Sequence, residues 1–233
     1  VGEASTLPDR AAPTAPEDDN PGSADAGGKP PRKRVHPRNA ATLILWRDTA
    51  GGPEILMGRR HASARFMPGV LVFPGGMVDR ADHGAAAASE LRPSVRAMLE
   101  RRANPALARA IAIAACRELH EETGLAFGRG QGPDLAALDY LCRAVTPATR
   151  PIRFNARFLI GPGDHATGTL AGSGELDDIG WYAEAAARGG RMAPITALVL
   201  NEFHAWHSMS PAAREERRLI AFMGMDRRLT ERE

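Results

Sequence analysis

The stretch Arg117-Glu118-Leu119-His120-Glu121-Glu122-Thr123-Gly124-Leu125, which closes the apolar run Ala108 to Cys116, constrains this chain more than any other. As a helix it sets Glu118 three and four residues from Glu121 and Glu122, so the three carboxylates share about 100° of arc. Ala112, Ala115, Cys116 and Leu119 fall on the adjoining arc and can face a core. Glutamates on a helix are ordinarily solvated surface. Two features oppose that reading here: Glu118 and Glu122 are like charges four apart, and all three acids crowd the last turn, where the helix dipole disfavours negative charge. A hard divalent cation offsets such small penalties by taking carboxylate oxygens. Gly124 suits a left-handed position just past the helix, which turns the chain sharply beside the acids.

These residues resemble the second half of the Nudix signature, G-x5-E-x7-R-E-U-x-E-E-x-G-U with U aliphatic, and every fixed position from Arg117 onward is matched. The resemblance implies an α/β fold with a mixed β-sheet sandwiched between α-helices, and hydrolysis of a phosphoanhydride with Mg²⁺ or Mn²⁺. It implies Glu118, Glu121 and Glu122 as metal ligands. Glu118, Glu121 and Arg117 are then the catalytic residues, one acid helping a water lose its proton and Arg117 orienting a glutamate. Phe73-Pro74-Gly75-Gly76 corresponds to the turn ahead of the signature helix, with Gly76 as the first signature glycine. Two glycines there let the backbone pass close to a phosphate or metal.

Upstream, Arg60, Arg65, Gly69 and the Phe-Pro-Gly-Gly run stand in register with the pattern of Nudix coenzyme A hydrolases, with His61 in place of Ser or Ala and Gly58 in place of Thr. Guanidinium groups bind phosphate through paired hydrogen bonds, so Arg60 and Arg65, with Gly75 and Gly76, are the substrate-binding candidates. Surface salt bridges are the competing use for both arginines. Arg117 stands 41 positions after Gly76 where the short signature has 14, so 27 residues are inserted. Asp82 replaces the signature's first glutamate; a shorter acid can keep a structural bond to the helix but suits direct metal binding poorly. The insertion, with Met67-Pro68-Gly69 and Gly-Gly-Met-Val-Asp, resembles the peroxisomal mammalian coenzyme A hydrolase branch and its bacterial relatives. Leu91, Val95, Met98 and Leu99 predict an amphipathic helix over 91–102.

The predicted organisation is a disordered arm over 1–38 and a Nudix domain over 39–233, with the insertion at 77–110 and C-terminal helices at 192–233. The arm lacks the apolar side chains to offset its chain entropy, and its basic cluster from Lys29 to Arg38 reads as solvated tail. Ala40 to Trp46, Glu54 to Met57, Tyr140 to Val145 and Arg153 to Ile160 are expected strands, and Gly161 to Gly174 a flexible loop. Glu175, ahead of a short strand through Trp181, is a candidate accessory acid by resemblance, against the plainer reading of a solvated loop acid. Ile195 to Trp206 predicts a helix, and Ser210-Pro211 opens a final one to Met223 with Leu219, Ile220 and Phe222 inward. His204 and His207 lack a third ligand and read as packed or surface residues.

A formal charge of +2 gives no ground for nucleic-acid binding, and no apolar run approaches the roughly 20 residues of a membrane span. Cys116 and Cys142 lie in apolar segments with no metal-ligand spacing or leader ahead of them, as in a reduced cytoplasmic protein. The expected partner is a small-molecule nucleotide, with a homodimer left open. The favoured substrate is coenzyme A or acyl-coenzyme A, cut to 3′,5′-ADP and (acyl-)4′-phosphopantetheine. The alternatives are another nucleoside diphosphate derivative, such as ADP-ribose or a dinucleotide, and a non-catalytic binding or regulatory module on the same fold.

Overall fold

The computed structural model describes residues 35–63, 67–224 and 228–231. The first predicted strand forms β1 (Arg38–Thr49), and the chain returns antiparallel to it as β2 (Gly52–Arg60). Strand geometry sends successive side chains to opposite faces. Ala41, Leu43, Leu45 and Leu56 accordingly enter one core, and Ile44, Ile55 and Met57 the other. Two short strands follow: β3 (Leu71–Val72), paired with β2, and β4 (Gly75–Met77), paired with β1.

The insertion runs through a 3-10 turn at Ala81–His83 to α1 (Pro93–Glu100), and then α2 (Pro105–Thr123) carries the signature. Residues 105–110 of the expected insertion thus form the first turns of α2. After β5 (Leu125–Phe127) come β6 (Asp139–Val145), β7 (Phe154–Pro162), β8 (Ala166–Gly168) and β9 (Leu176–Ala183). The chain continues through α3 (Glu184–Gly189), α4 (Pro194–His207), α5 (Pro211–Glu216), β10 (Leu219–Met223) and β11 (Arg228–Glu231).

The main sheet has the order β11-β10-β6-β7-β1-β2-β3, with β4 on β1 and β9 on β2. The β1–β7 and β6–β10 pairs are parallel and the others antiparallel, so the sheet is mixed. One face packs on α1 and α2 through Val95, Leu99, Ile111, Ala115 and Leu119. The other packs on α4 through Val199, Leu200, Phe203 and Trp206. This is the predicted α/β sandwich.

Two expectations are corrected. The C-terminal part is not helical throughout: Ser210 caps α5 as predicted, accepting from the Ala213 N–H at 3.3 Å, but the helix stops at Glu216 and Leu219–Met223 is a strand. Its apolar residues serve both faces of the sheet, Leu219 in the α2 core and Ile220 and Phe222 in the α4 core, which one face of a helix cannot do. Residues 161–174 are also partly ordered, since β8 pairs antiparallel with β5. The arm lies outside the described residues up to residue 34. None of the helices among the described residues is long and apolar enough to cross a membrane.

Candidate functional site

Helix α2 delivers the acids to a defined place because both its ends are fixed. Asn104 caps the start, its Oδ1 accepting from the Leu107 N–H at 2.8 Å, and Pro105 occupies the first turn, where no N–H is needed. Gly124 ends it with φ 74°, as predicted, and its N–H donates to the His120 carbonyl. The last carbonyls are also met, Thr123 O by the Ala171 N–H at 2.9 Å and Glu122 O by the Ser173 N–H at 3.4 Å. The segment ahead of β9 is thereby tied across the end of the helix.

Glu118 and Glu122 converge on the turn at Gly75 and Gly76. The Gly75 N–H donates to Glu122 Oε2 at 2.9 Å. A Cβ on Gly76 would stand 2.4 Å from the Glu118 carboxyl, and one on Gly75 would stand 2.6 Å from the Ala41 carbonyl oxygen. Neither glycine has positive φ. Both are needed for close approach: Gly75 to β1, Gly76 to the acid itself.

Arg117 binds the acids to the start of the insertion. Its Nε and Nη2 donate to the Asp82 carboxylate at 2.9 and 3.1 Å, and Nη2 also to the Met77 carbonyl at 2.9 Å. Nη1 donates to Glu118 Oε1 at 2.9 Å and Glu121 Oε2 at 2.8 Å. Asp82 is 1% exposed and takes a further bond from the Asp79 N–H, so it is a structural anchor for Arg117, as its shorter side chain suggested.

Burial dominates the electrostatics. It pushes Glu122 up to about 8, with the charges of Glu118 and Glu175 adding to the rise and the Gly75 N–H and Arg60 opposing it. Burial raises Glu118 too, against the pull of Arg117. Glu175 is exposed, yet its charge is felt at both acids. Arg60 stands beside it in the β2–β9 ladder, opposite Leu176, and its Nε is buried without a hydrogen-bond partner among the described residues.

The structure therefore brings together Glu118, Glu122, Gly75, Gly76, Arg117 and Arg60, with Glu175 nearby. Arg65 lies outside the described residues. Glu121 stands at the edge of the group, 55% exposed and sharing Arg117 Nη1 with Glu118, and among the described residues no three His, Cys, Asp or Glu side chains already form a metal-holding group. A buried and a half-buried carboxylate of raised proton affinity, with Arg117 pairing only the second, nevertheless fit a hard divalent ion. The sequence reading missed the 171–173 crossover and the Met77 carbonyl, both backbone groups with no side-chain signal. His204 and His207 are not a metal pair; they bond Glu184 and Asp48 at 3.0 and 2.9 Å.

No family model matches the chain. Over 88 residues, 38% of this chain, it is 38% identical to a Caenorhabditis elegans protein named "Putative nudix hydrolase 7", and the match spans only 22% of that relative. Its fold is similar to that of a NUDIX hydrolase from Alicyclobacillus acidocaldarius, with TM-score 0.57 and 27% identity over 72% of this chain and 91% of the other. A mixed sheet between helices, with a capped acidic helix end set on a glycine turn, is the Nudix architecture. Fold and similarities together support a relationship to the Nudix hydrolase superfamily, whose members generally use divalent metal ions.

Proposed function

We propose that the chain hydrolyses a nucleoside diphosphate-linked substrate with Mg²⁺ or Mn²⁺, and that the substrate is coenzyme A or acyl-coenzyme A. The observation that carries the reading is the convergence of half-buried Glu118 and buried Glu122 on the Gly75-Gly76 turn, beside an Arg60 whose buried Nε has no hydrogen-bond partner among the described residues.

Glu118 and Glu122, with Glu121 once it leaves Arg117, would hold a divalent ion, which supplies charge neutralisation on the diphosphate oxygens and a more acidic water. Arg60 binds the diphosphate by charge-assisted hydrogen bonds. Arg117, locked by Asp82, holds Glu118 through Oε1 and makes no bond to Oε2. Glu118 Oε2 is then the atom placed to take the proton from the attacking water. The water oxygen bonds to one phosphorus, the anhydride P–O bond breaks, and two phosphomonoesters leave. Glu175 adds negative charge at the rim and serves as the accessory acid.

Coenzyme A is favoured over other diphosphates because the spacing of Arg60, Gly69 and Phe73-Pro74-Gly75-Gly76 resembles the pattern of Nudix coenzyme A hydrolases. The test is incubation of the full chain with coenzyme A or ADP-ribose and free Mg²⁺ or Mn²⁺, with products identified by mass. The expected result is 3′,5′-ADP and 4′-phosphopantetheine from coenzyme A. Equal or faster turnover of ADP-ribose overturns the substrate assignment, binding of these substrates with no hydrolysis points to the non-catalytic module, and hydrolysis unchanged by Glu121→Gln removes Glu121 from the ion-holding set.

A further inference from the structure

Behind the acids, on another face of α2, the insertion forms a strap. Arg109, two turns before Arg117, donates to the Ala85 carbonyl at 2.8 Å and to the Glu90 carboxylate at 2.9 Å. Arg117 holds Met77 and Asp82, so residues 77–90 are fastened along the helix at both ends. The strap is joined on its outer side to the glycine-rich loop after β5. The Ala88 N–H donates to the Pro133 carbonyl at 2.9 Å, Ser89 Oγ donates to Asp134, and Gly132 packs against Ala86 with no room for a Cβ.

Strap, loop and helix line an open cleft of about 600 Å³, within the roughly 300–1,000 Å³ of small-molecule sites. Buried Ile113 and Phe127 line it, and small residues of the strap and β5, among them Ala86 and Ala126, leave it open. The ionisable groups facing it are Asp82, Arg117, His120 and Arg129. Asp82 is consumed by Arg117, and Asp134 behind the loop by Ser89 and His165. Arg129 gives only a 3.4 Å bond to the Asp164 carbonyl and pairs with no carboxylate among the described residues; His120 is exposed. The cavity is therefore apolar inside and cationic at its rim.

We propose that this cavity binds an amphiphilic anion, its alkyl chain against Ile113 and Phe127 and its negative head beside Arg129 and His120. Two sources share the alkyl chain: a free fatty carboxylate, whose head is the anion beside Arg129, or the acyl arm of the diphosphate substrate, whose negative charge lies on its distant phosphates; the second rests on the function proposed above. Calorimetric titration of the full chain with octanoate, decanoate and dodecanoate below their micelle thresholds tests it. Affinity should rise about fourfold per added methylene. Dodecylammonium should bind at least about tenfold more weakly than dodecanoate, because the rim is cationic. Ala86→Trp and Ala126→Trp, which fill the cavity from opposite walls, should each weaken dodecanoate at least about tenfold while the melting temperature holds.

Competition of dodecanoate with lauroyl-coenzyme A, with KM for that ester raised by Ala86→Trp and KM for coenzyme A unchanged, identifies the acyl arm. Binding without competition identifies the free carboxylate. Affinity independent of chain length, or dodecanoate binding equally well to both tryptophan variants, overturns the proposal. The titration reads the cavity even in a protein that hydrolyses nothing, so its failure is distinct from failure of the enzymatic reading.

Discussion

The acid side of α2 and its strap side are built by opposite means. On the acid side, charged groups are buried against backbone: Glu122 on the Gly75 N–H, Glu118 on the space a Gly76 side chain would fill. On the strap side, Ile113 and Cys116 lie under a stretch of insertion held by two arginines, with a cavity between. One side stores unfavourable charge at a rigid corner, and the other leaves apolar space beneath a clasp. Burial of charge without a full partner is costly, so it marks the side where the chemistry proposed above would depend on a cation. Perturbing the two sides should give unequal results.

The largest difference is expected in catalysis. Glu118→Gln keeps the shape of the side chain and the Arg117 contact but removes the charge and the proton acceptor. Turnover of the diphosphate should fall on the order of a thousandfold, with the melting temperature little changed; a rate assay beside a thermal melt checks both. Gly76→Ala comes next. Its Cβ would stand 2.4 Å from the Glu118 carboxyl, so acid or turn must move. A displacement near 1 Å costs about a hundredfold in rate, and the overpacking about 1–3 kcal/mol in stability. The same change at Gly84, where a Cβ would meet nothing within 4 Å, should do neither.

A smaller effect follows from the buried charge in the metal-free protein. Glu122 is pushed up to about 8 in the folded state from an ordinary 4.5, chiefly by burial, so the folded protein holds a proton that the unfolded chain has released. The stability this contributes is complete below pH 4.5 and is lost as pH rises through 8. Glu118, raised in the same direction, adds to the loss. Melts in chelator from pH 5 to pH 8.5 should therefore decline, Glu122→Gln should flatten the decline, and Mg²⁺ or Mn²⁺ should raise the high-pH values most. Strap-side substitutions should leave this profile unchanged.

The acid side was the more legible in sequence. Its spacing, the helix stop at Gly124 and the use of Asp82 as an anchor all follow from side-chain chemistry at fixed intervals. Arg60 was found through its register with Phe73-Pro74-Gly75-Gly76, and the structure supplies what spacing lacks, a buried Nε with an unused hydrogen. The strap is carried by carbonyls at Met77, Ala85 and Pro133, which leave no mark on composition. The Leu219–Met223 strand was misread because five consecutive apolar residues suit a helix and a two-faced strand equally. Only parallel pairing with β6, 78 positions earlier, decides between them.

The smallest expected effect isolates the clasp. Arg109→Ala removes the grip on Ala85 and Glu90 but leaves Arg117, Asp82 and every acid contact in place. Glu90 is largely exposed, so the ion pair contributes at most about 1 kcal/mol, and the lost carbonyl bond a similar amount. Coenzyme A hydrolysis should change less than about threefold, because no group on the acid side loses a partner. Hydrogen exchange at 85–90 should speed up while exchange at 118–122 stays at its wild-type rate. Parallel acceleration in both segments would show that strap and acids open as one unit, and the division of α2 into independent sides would fail.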